Sequence, residues 1–434
     1  MQIGLSLSLT AQLRSSSAYA VPGYDPALVF DFKNSYYRKG GASTTFSSAI
    51  THSRASSATM VNSSGTLVTV GNNVPRTGHH IYNGSAWVNE GILHESEART
   101  NLLPNSSVLG YSKIGIATST PTVVSPSGLQ DAVLVRPIVA TGVTWVYDLT
   151  IYNTGVVTTI STFAKASGKS FLTTSNSNNT SMYASFNLTT GTVGTVTSGY
   201  TANMEDFGNG WYRCSVTTPT GFNERAIYAV SDTDNAVSAA ANGNDGILLY
   251  GAQVEAGSTP SSYIPTAGAS ATRAAETLTV PAANLPYDST NMSIQMDGKM
   301  TYADTGVGLE VQQYRWQLNA TNYISTNMQT VGGRTGQPVF SQRQSTSNLD
   351  QVGGGNNVYN PDVNVPFNIA ARHGSTFING AHEGTLLTAN TTPTALPDLS
   401  ATDLELGNIF MGTIGQFRMW DEDLTDAGIV EAST

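Results

Sequence analysis

Gly91–Ser107 reads GILHESEARTNLLPNSS, and the character of the chain changes on either side of it. Upstream, Thr51 to Trp87 holds weak strands broken by Ser-Gly, Gly-Asn-Asn and Asn-Gly turns. Asn83-Gly84, between Ile81-Tyr82 and Ala86-Trp87, is a hairpin signal. Downstream, from Leu109 to about Arg273, candidate strands recur at regular spacing. The clearest are Val133–Val135, Thr144–Ile151, Thr158–Ala164, Phe171–Thr174, Met182–Leu188, Trp211–Thr217, Ala226–Val230 and Ile247–Gln253. Short strands separated by turn residues, with no helical period between them, read as a β-sandwich or jelly roll. Ala267–Ala275 (AGASATRAA) reads as a linker, and Glu276 opens a second sandwich through Met292–Met300, Gly308–Val311, Arg315–Leu318, Asn322–Gln329 and Gln337–Arg343. The expected fold is all-β: an irregular N-terminal attachment region over 1–107, a jelly roll over 108–273 and a second β-sandwich over 274–434. Within the opening stretch, Glu95, Glu97 and Arg99 resemble a catalytic cluster. The preferred reading is structural, with Arg99 paired to a carboxylate and Asn101 bonded to backbone to stitch a non-repetitive connector.

Composition agrees with that class. Over 434 residues only 12% are charged, 39% are hydrophobic and 42 are glycine. Helical cytosolic enzymes carry roughly 25% charge. The low charge and regular aromatic and β-branched runs argue against disorder. A net charge of −10 with 20 scattered Lys and Arg argues against a nucleic-acid partner. Cys214 is the single cysteine, which excludes an intrachain disulfide and a thiolate metal cage. Ser17–Ala20 (SAYA) resembles a signal-peptidase site, but no positive charge precedes the short apolar part, so no signal peptide is expected. No stretch approaches the roughly 20 apolar residues of a membrane span, and no membrane insertion is expected.

Three ordered motifs carry a resemblance. Arg54–Gly65 (RASSATMVNSSG) followed by the G-I-L-x-E-x-x-x-R-T-N-L-L wording resembles virion proteins of tailed bacteriophages. Gly208–Val216 (GNGWYRCSV) and Ile247–Pro265 (ILLYGAQVEAGSTPSSYIP) resemble the closing strands of carbohydrate-binding jelly-roll modules in phage structural proteins. Phe377-Ile-Asn-Gly, then Leu404–Asn408, then Gly412–Asp421 (GTIGQFRMWD) with Leu424-Thr-Asp-Ala resemble laminin-G and concanavalin-like lectin sandwiches. The resemblance implies a fibre or spike protein, made in the host bacterial cytoplasm and located in the virion. It also implies N-terminal attachment to other virion proteins and a homotrimer. The partner it implies outside the virion is host-surface polysaccharide or lipopolysaccharide.

Candidate site residues follow from local pattern. Ile3, Leu5, Leu7 and Leu9 share one face of a terminal strand suited to attachment by β-augmentation, or to pairing within its own domain. Trp145 and Tyr147 share one face of a mid-domain strand and fit either a sugar-stacking platform or two core aromatics, whereas Trp211 reads as core. Asn242, Asn244 and Asp245 in NGNDG offer oxygens for a structural calcium but lack the regular ligand spacing of an EF-hand, so a plain turn is favoured. His79-His80 point to opposite faces of a strand, which is poor for one metal. Asp403 and Glu405 share a strand face, the arrangement a glycosidase needs with carboxyls roughly 5–9 Å apart, but no aromatic platform adjoins them. No P-loop, G-x-S-x-G or H-E-x-x-H is present. The expectation is a non-enzymatic virion adhesin for host glycans without a cofactor. The alternatives are a purely structural fibre base or capsid decoration and, last, a capsule or lipopolysaccharide depolymerase, since no fixed-period repeat is present.

Overall fold

The strand Trp211–Thr218 sends Cys214 and Val216 into one apolar cluster and Trp211 into another, as a period of two requires. A computed structural model describes residues 18–175, 182–219, 223–302, 310–329, 338–345, 349–353 and 365–434. Ile3, Leu5, Leu7 and Leu9 lie outside the described residues, as does part of the expected run Gly308–Val311. The chain separates into two compact units, one built from Ser53–Glu276 and the other from the segments on either side of it. Both are β-sandwiches made almost wholly of antiparallel strands.

In the inserted unit, two six-stranded sheets face each other. One runs in the order Ser112–Ile114, Trp145–Tyr147, Ile227–Ser231, Phe171–Ser175, Met182–Asn187, Thr192–Val196. The other runs Ile116–Ser119, Val133–Pro137, Gly246–Ala256, Thr158–Ser167, Trp211–Thr218, Thr201–Asp206. Val135, Val146, Ile160, Leu172, Phe186, Val216, Tyr228, Val230, Leu249 and Val254 fill the core between them. The outer face of the second sheet carries its own apolar layer of Ala132, Phe163, Trp211, Leu248 and Tyr263, packed by Leu67 and Phe207. There the Trp211 indole donates to the Val124 carbonyl at 3.2 Å.

Residues 53–107 belong to the same compact unit as the jelly roll. They line this sandwich because their own strands carry too few apolar residues for a core. The hairpin Arg76–Tyr82/Trp87–Glu95 turns at Asn83-Gly84, where the Asn83 side chain accepts from the Ser85 and Ala86 amides. Its Trp87 packs edge-on against Phe207 at 5.2 Å. Gly65 lies against the same indole: a Cβ there would meet it at 2.1 Å, and the backbone has φ +76°.

In the discontinuous unit, one sheet contains the strands Ala42–Thr44, Tyr36–Lys39, Leu28–Asp31, Phe410–Trp420, Asn291–Tyr302, Pro366–Gly374, Ile378–His382 and Thr385–Leu386 in that order. Leu28–Asp31 pairs with the C-terminal strand in the register Phe30↔Phe417 and Leu28↔Met419. Residues expected to attach the chain elsewhere thus complete the C-terminal sandwich, because Leu28, Phe30 and Phe32 are fully buried in it. The facing sheet runs Asp350–Gly353, Pro338–Arg343, Asn322–Gln329, Glu310–Asn319, Leu404–Asn408, Thr277–Val280. Tyr314 of this sheet meets Phe417 of the other at 6.2 Å, edge to face. Gly380 leaves room for Phe340: a Cβ there would lie 2.1 Å from the ring. Behind the first sheet lies the helix Thr425–Ala432, with Trp420, Leu424 and Ile429 buried beneath it.

Candidate ligand-binding faces

Three motif-bearing segments of the inserted unit, Arg54–Gly65, Gly91–Ser107 and Ile247–Pro265, converge on one buried charge cluster. Arg54 donates to Glu276 at 2.6 Å, and Arg76 reaches both Glu276 oxygens at 3.0 and 2.6 Å. Arg76 also pairs with Glu95 at 2.7 Å, and Arg273 approaches Glu95 at 3.0 Å. Ser262 donates its amide and hydroxyl to the same Glu95 carboxylate at 2.8 and 2.6 Å. Arg99 donates to Glu97 at 2.8 Å and to the Ala256 carbonyl. Asn101 bridges strands, accepting from the Leu103 and Val254 amides and donating to the Ala252 and Ile264 carbonyls. Burial alone would raise the Glu95 carboxyl, but Arg273 and Arg76 outweigh it and hold it down at about 2. These ion pairs are made within the fold and are shielded from water. The cluster is a structural knot, as the connector reading expected, and it offers no surface to a ligand.

Trp145 and Tyr147 do lie on one outer sheet face, opposite Val146, which enters the core. The loop after Ile227–Ser231 folds back over that face. Trp145 is 4% exposed and packs against Ile227, Ala229 and Val237. Beneath the same loop, the Thr173, Ser185 and Ser231 hydroxyls bond to one another at 2.7 and 3.4 Å. Tyr147 is half-buried, with the Arg225 guanidinium over its ring at 5.6 Å. A sugar ring cannot stack on Trp145 while this loop is in place.

The other sequence candidates resolve locally. The Asn242 amide donates to Asp245 at 2.7 Å across the exposed turn, and Asn244 lies between them. His79 accepts from the Val61 amide at 3.2 Å, and the His80 ring contacts the Gly78 carbonyl. Among the described residues no group of three or more His, Cys, Asp or Glu is placed to hold a metal. Asp403 accepts from the Ala282 amide at 2.8 Å. Glu405 takes Arg315 at 2.8 Å and the Asn408 amide at 2.7 Å.

A second face, which the sequence reading did not single out, lies on the outside of the discontinuous unit. In the sheet Glu310–Asn319/Asn322–Gln329/Pro338–Arg343, the residues Trp316, Ile324 and Phe340 point into the core. Their neighbours point out. The register lines up Thr279, Glu405, Arg315, Ser325, Ser341 and Gln351 as one polar row across six strands. Gln317, Tyr323 and Arg343 form the next row on one side, and Asn408, Gln312 and Asn327 the next on the other. Three atoms on this face, Gln312 Oε1, Ser325 Oγ and Arg343 Nε, are shielded from water and have no hydrogen-bond partner among the described residues. Ser325 is 2% exposed. A buried polar atom without a partner costs about 1–3 kcal/mol. Arg315, Gln317 and Tyr323 on the same face are half-exposed. The alternation Arg315-Trp316-Gln317 and Tyr323-Ile324-Ser325 was the available sequence signal.

No family model matches the chain, and no curated protein sequence matches it. Solved structures resemble parts of it. Domain 4 of AbnA, a GH43 extracellular arabinanase from Geobacillus stearothermophilus in complex with arabinotriose, is 14% identical with a TM-score of 0.30, covering 37% of this chain and 73% of that one. The CBM40 of the Ruminococcus gnavus IT-sialidase is 11% identical with a TM-score of 0.26, covering 33% of this chain and 83% of that one. A mutant of the Streptococcus pneumoniae NanB sialidase is 13% identical with a TM-score of 0.28, covering 36% of this chain and 26% of that one. At these scores the likenesses carry no argument about what this chain binds.

Proposed function

We propose that this chain is a non-enzymatic, glycan-binding protein of a phage virion that adheres to host-surface polysaccharide or lipopolysaccharide. The observation that carries the binding part is the polar outer face of the discontinuous unit, where the half-exposed Arg315, Gln317, Tyr323 and Arg343 stand in adjacent rows. A polyhydroxylated ligand supplies hydrogen-bond donors and acceptors to such side chains at once. The virion part is supported by the ordered motifs around Gly91–Ser107. Attachment to other virion proteins through the N-terminal residues and assembly as a homotrimer belong to the same reading. Copy number would multiply a weak single site through high effective concentration. The reading without hydrolysis is supported by Asp403 and Glu405, whose carboxylates each serve a structural bond. A second reading, the jelly roll as a spacer, is supported by the loop that covers Trp145.

The test is binding of the intact chain to host cells before and after their surface polysaccharide is stripped, with Tyr323→Ala as the altered-face variant. Binding that disappears on stripping and is lost in the variant supports the proposal. Unchanged binding to stripped cells overturns glycan adhesion, and release of reducing sugar overturns the non-enzymatic part.

A further inference from the structure

We infer that the polar outer face of the discontinuous unit recognises an acidic saccharide, with Arg343 taking the sugar carboxylate. This deepens the glycan-binding reading and rests on it. The other described arginines of the unit all have partners. Arg38 pairs with Asp25, Arg315 with Glu405, and Arg372 with Asp423 and Asp426. Arg418 donates to Gln295 and to the Tyr19 and Ala432 carbonyls. Arg343 alone shows no side-chain hydrogen bond or ion pair among the described residues, and its Nε is shielded from water. A guanidinium keeps its charge at any working pH, so an unpaired one on a polar sheet face is suited to an anion.

The surroundings specify what kind of anion. Tyr323 lies directly across from Arg343 in the strand register, placing an aromatic ring beside the charge. The next row across the same strands is polar as well, with Ser325 opposite Ser341. A ring that stacks and a carboxylate that takes the fork of the guanidinium describe a uronate-type residue. A bulk polyanion held by charge alone does not fit, because the chain carries a net charge of −10 and repels one at long range.

The experiment measures binding of the intact protein to polygalacturonate, alginate and hyaluronate, to the methyl ester of each, and to dextran. Arg343→Gln and Arg343→Lys are the variants, and the thermal melt is recorded for each. The expected result is binding to at least one acid, with a loss of about tenfold or more on esterification and on Arg343→Gln, and partial retention in Arg343→Lys, the melt being unchanged; a hydrogen bond to a charged group sets that scale. Equal binding to acid and ester, or an Arg343→Gln variant that binds the acid as the parent does, overturns the assignment. So does failure to bind any of the three acids. The glycan-adhesion proposal survives each of these results if the host-cell test still shows stripping-sensitive binding. Loss of that binding overturns both.

Discussion

At the residue scale, Glu95 shows what the connector Gly91–Ser107 accomplishes physically. Its carboxylate receives Arg76, Arg273 and two donors from Ser262 in a site closed to water. Its folded pKa, about 2, lies below the ordinary carboxyl value of 4.5. A depressed carboxyl contributes stability that is fully present above the unfolded value. That stability is lost as pH falls through the folded value. The inserted unit should therefore lose on the order of 3 kcal/mol from this group between about pH 4.5 and pH 2. Urea midpoints across that window check this. A Glu95→Gln protein should be less stable at neutral pH and show a flatter dependence below pH 4.5. An equally steep drop in the variant would assign the acid sensitivity to other carboxylates. The stitching roles of Arg99 and Asn101 are legible in the connector itself, whereas those of Arg54, Arg76, Arg273 and Glu276 are not, because their partners lie up to 222 positions away along the chain.

At the element scale, alternation identified which strands exist, and packing decided what their outward faces do. Trp145 and Tyr147 share a face as the period of two requires, but no local pattern shows that the loop following Ile227–Ser231 returns over that face and buries the indole against Val237. Trp145→Ala should therefore lower stability by about 3–5 kcal/mol, the range for emptying a large aromatic site. Denaturant unfolding of the intact chain measures it. Loss of glycan binding with an unchanged midpoint would instead return Trp145 to a surface role. The C-terminal motif behaved differently. Phe417 and Met419 enter the core while Trp420 turns to the helix Thr425–Ala432, so strand parity and helix position were both readable from it. The reason is locality: the strand, turn and helix are contiguous, and Arg372 joins them through Asp423 and Asp426 at 2.7 Å.

At the scale of the whole molecule, both sandwiches draw on the first 107 residues. Leu28–Asp31 is paired on both sides in the discontinuous unit, with Tyr36–Lys39 and with Phe410–Trp420. Arg54, Arg76 and Glu95 neutralise Glu276 and Arg273 in the inserted one. A fragment beginning at Ser107, which the expected boundaries would suggest as a stable binding piece, removes all of these. Broken buried ion pairs cost about 3–5 kcal/mol each, and an unpaired apolar strand edge promotes association. The expected outcome is rapid cleavage in limited proteolysis and aggregation on sizing, whereas the intact chain resists. A protease-resistant, monodisperse fragment would show that the first 107 residues are dispensable to both cores.

The sequence by itself determined the all-β class, the short strands and their parity, the Asn83-Gly84 hairpin, the core placement of Trp211 and the structural character of Arg99 and Asn101. These rest on the period of two, on turn chemistry and on polar groups that must be satisfied, all of which act over a few residues. Only the tertiary structure decided that the unit Ser53–Glu276 is inserted into the other, that Trp145 is covered, and that Arg315, Ser325, Ser341 and Gln351 stand abreast with Arg343 unpaired beside them. Strand order, register and the bulge between Gln312 and Tyr314 set those neighbours. Such choices are made by side-chain packing between segments far apart in the chain, and no local window of sequence contains both partners.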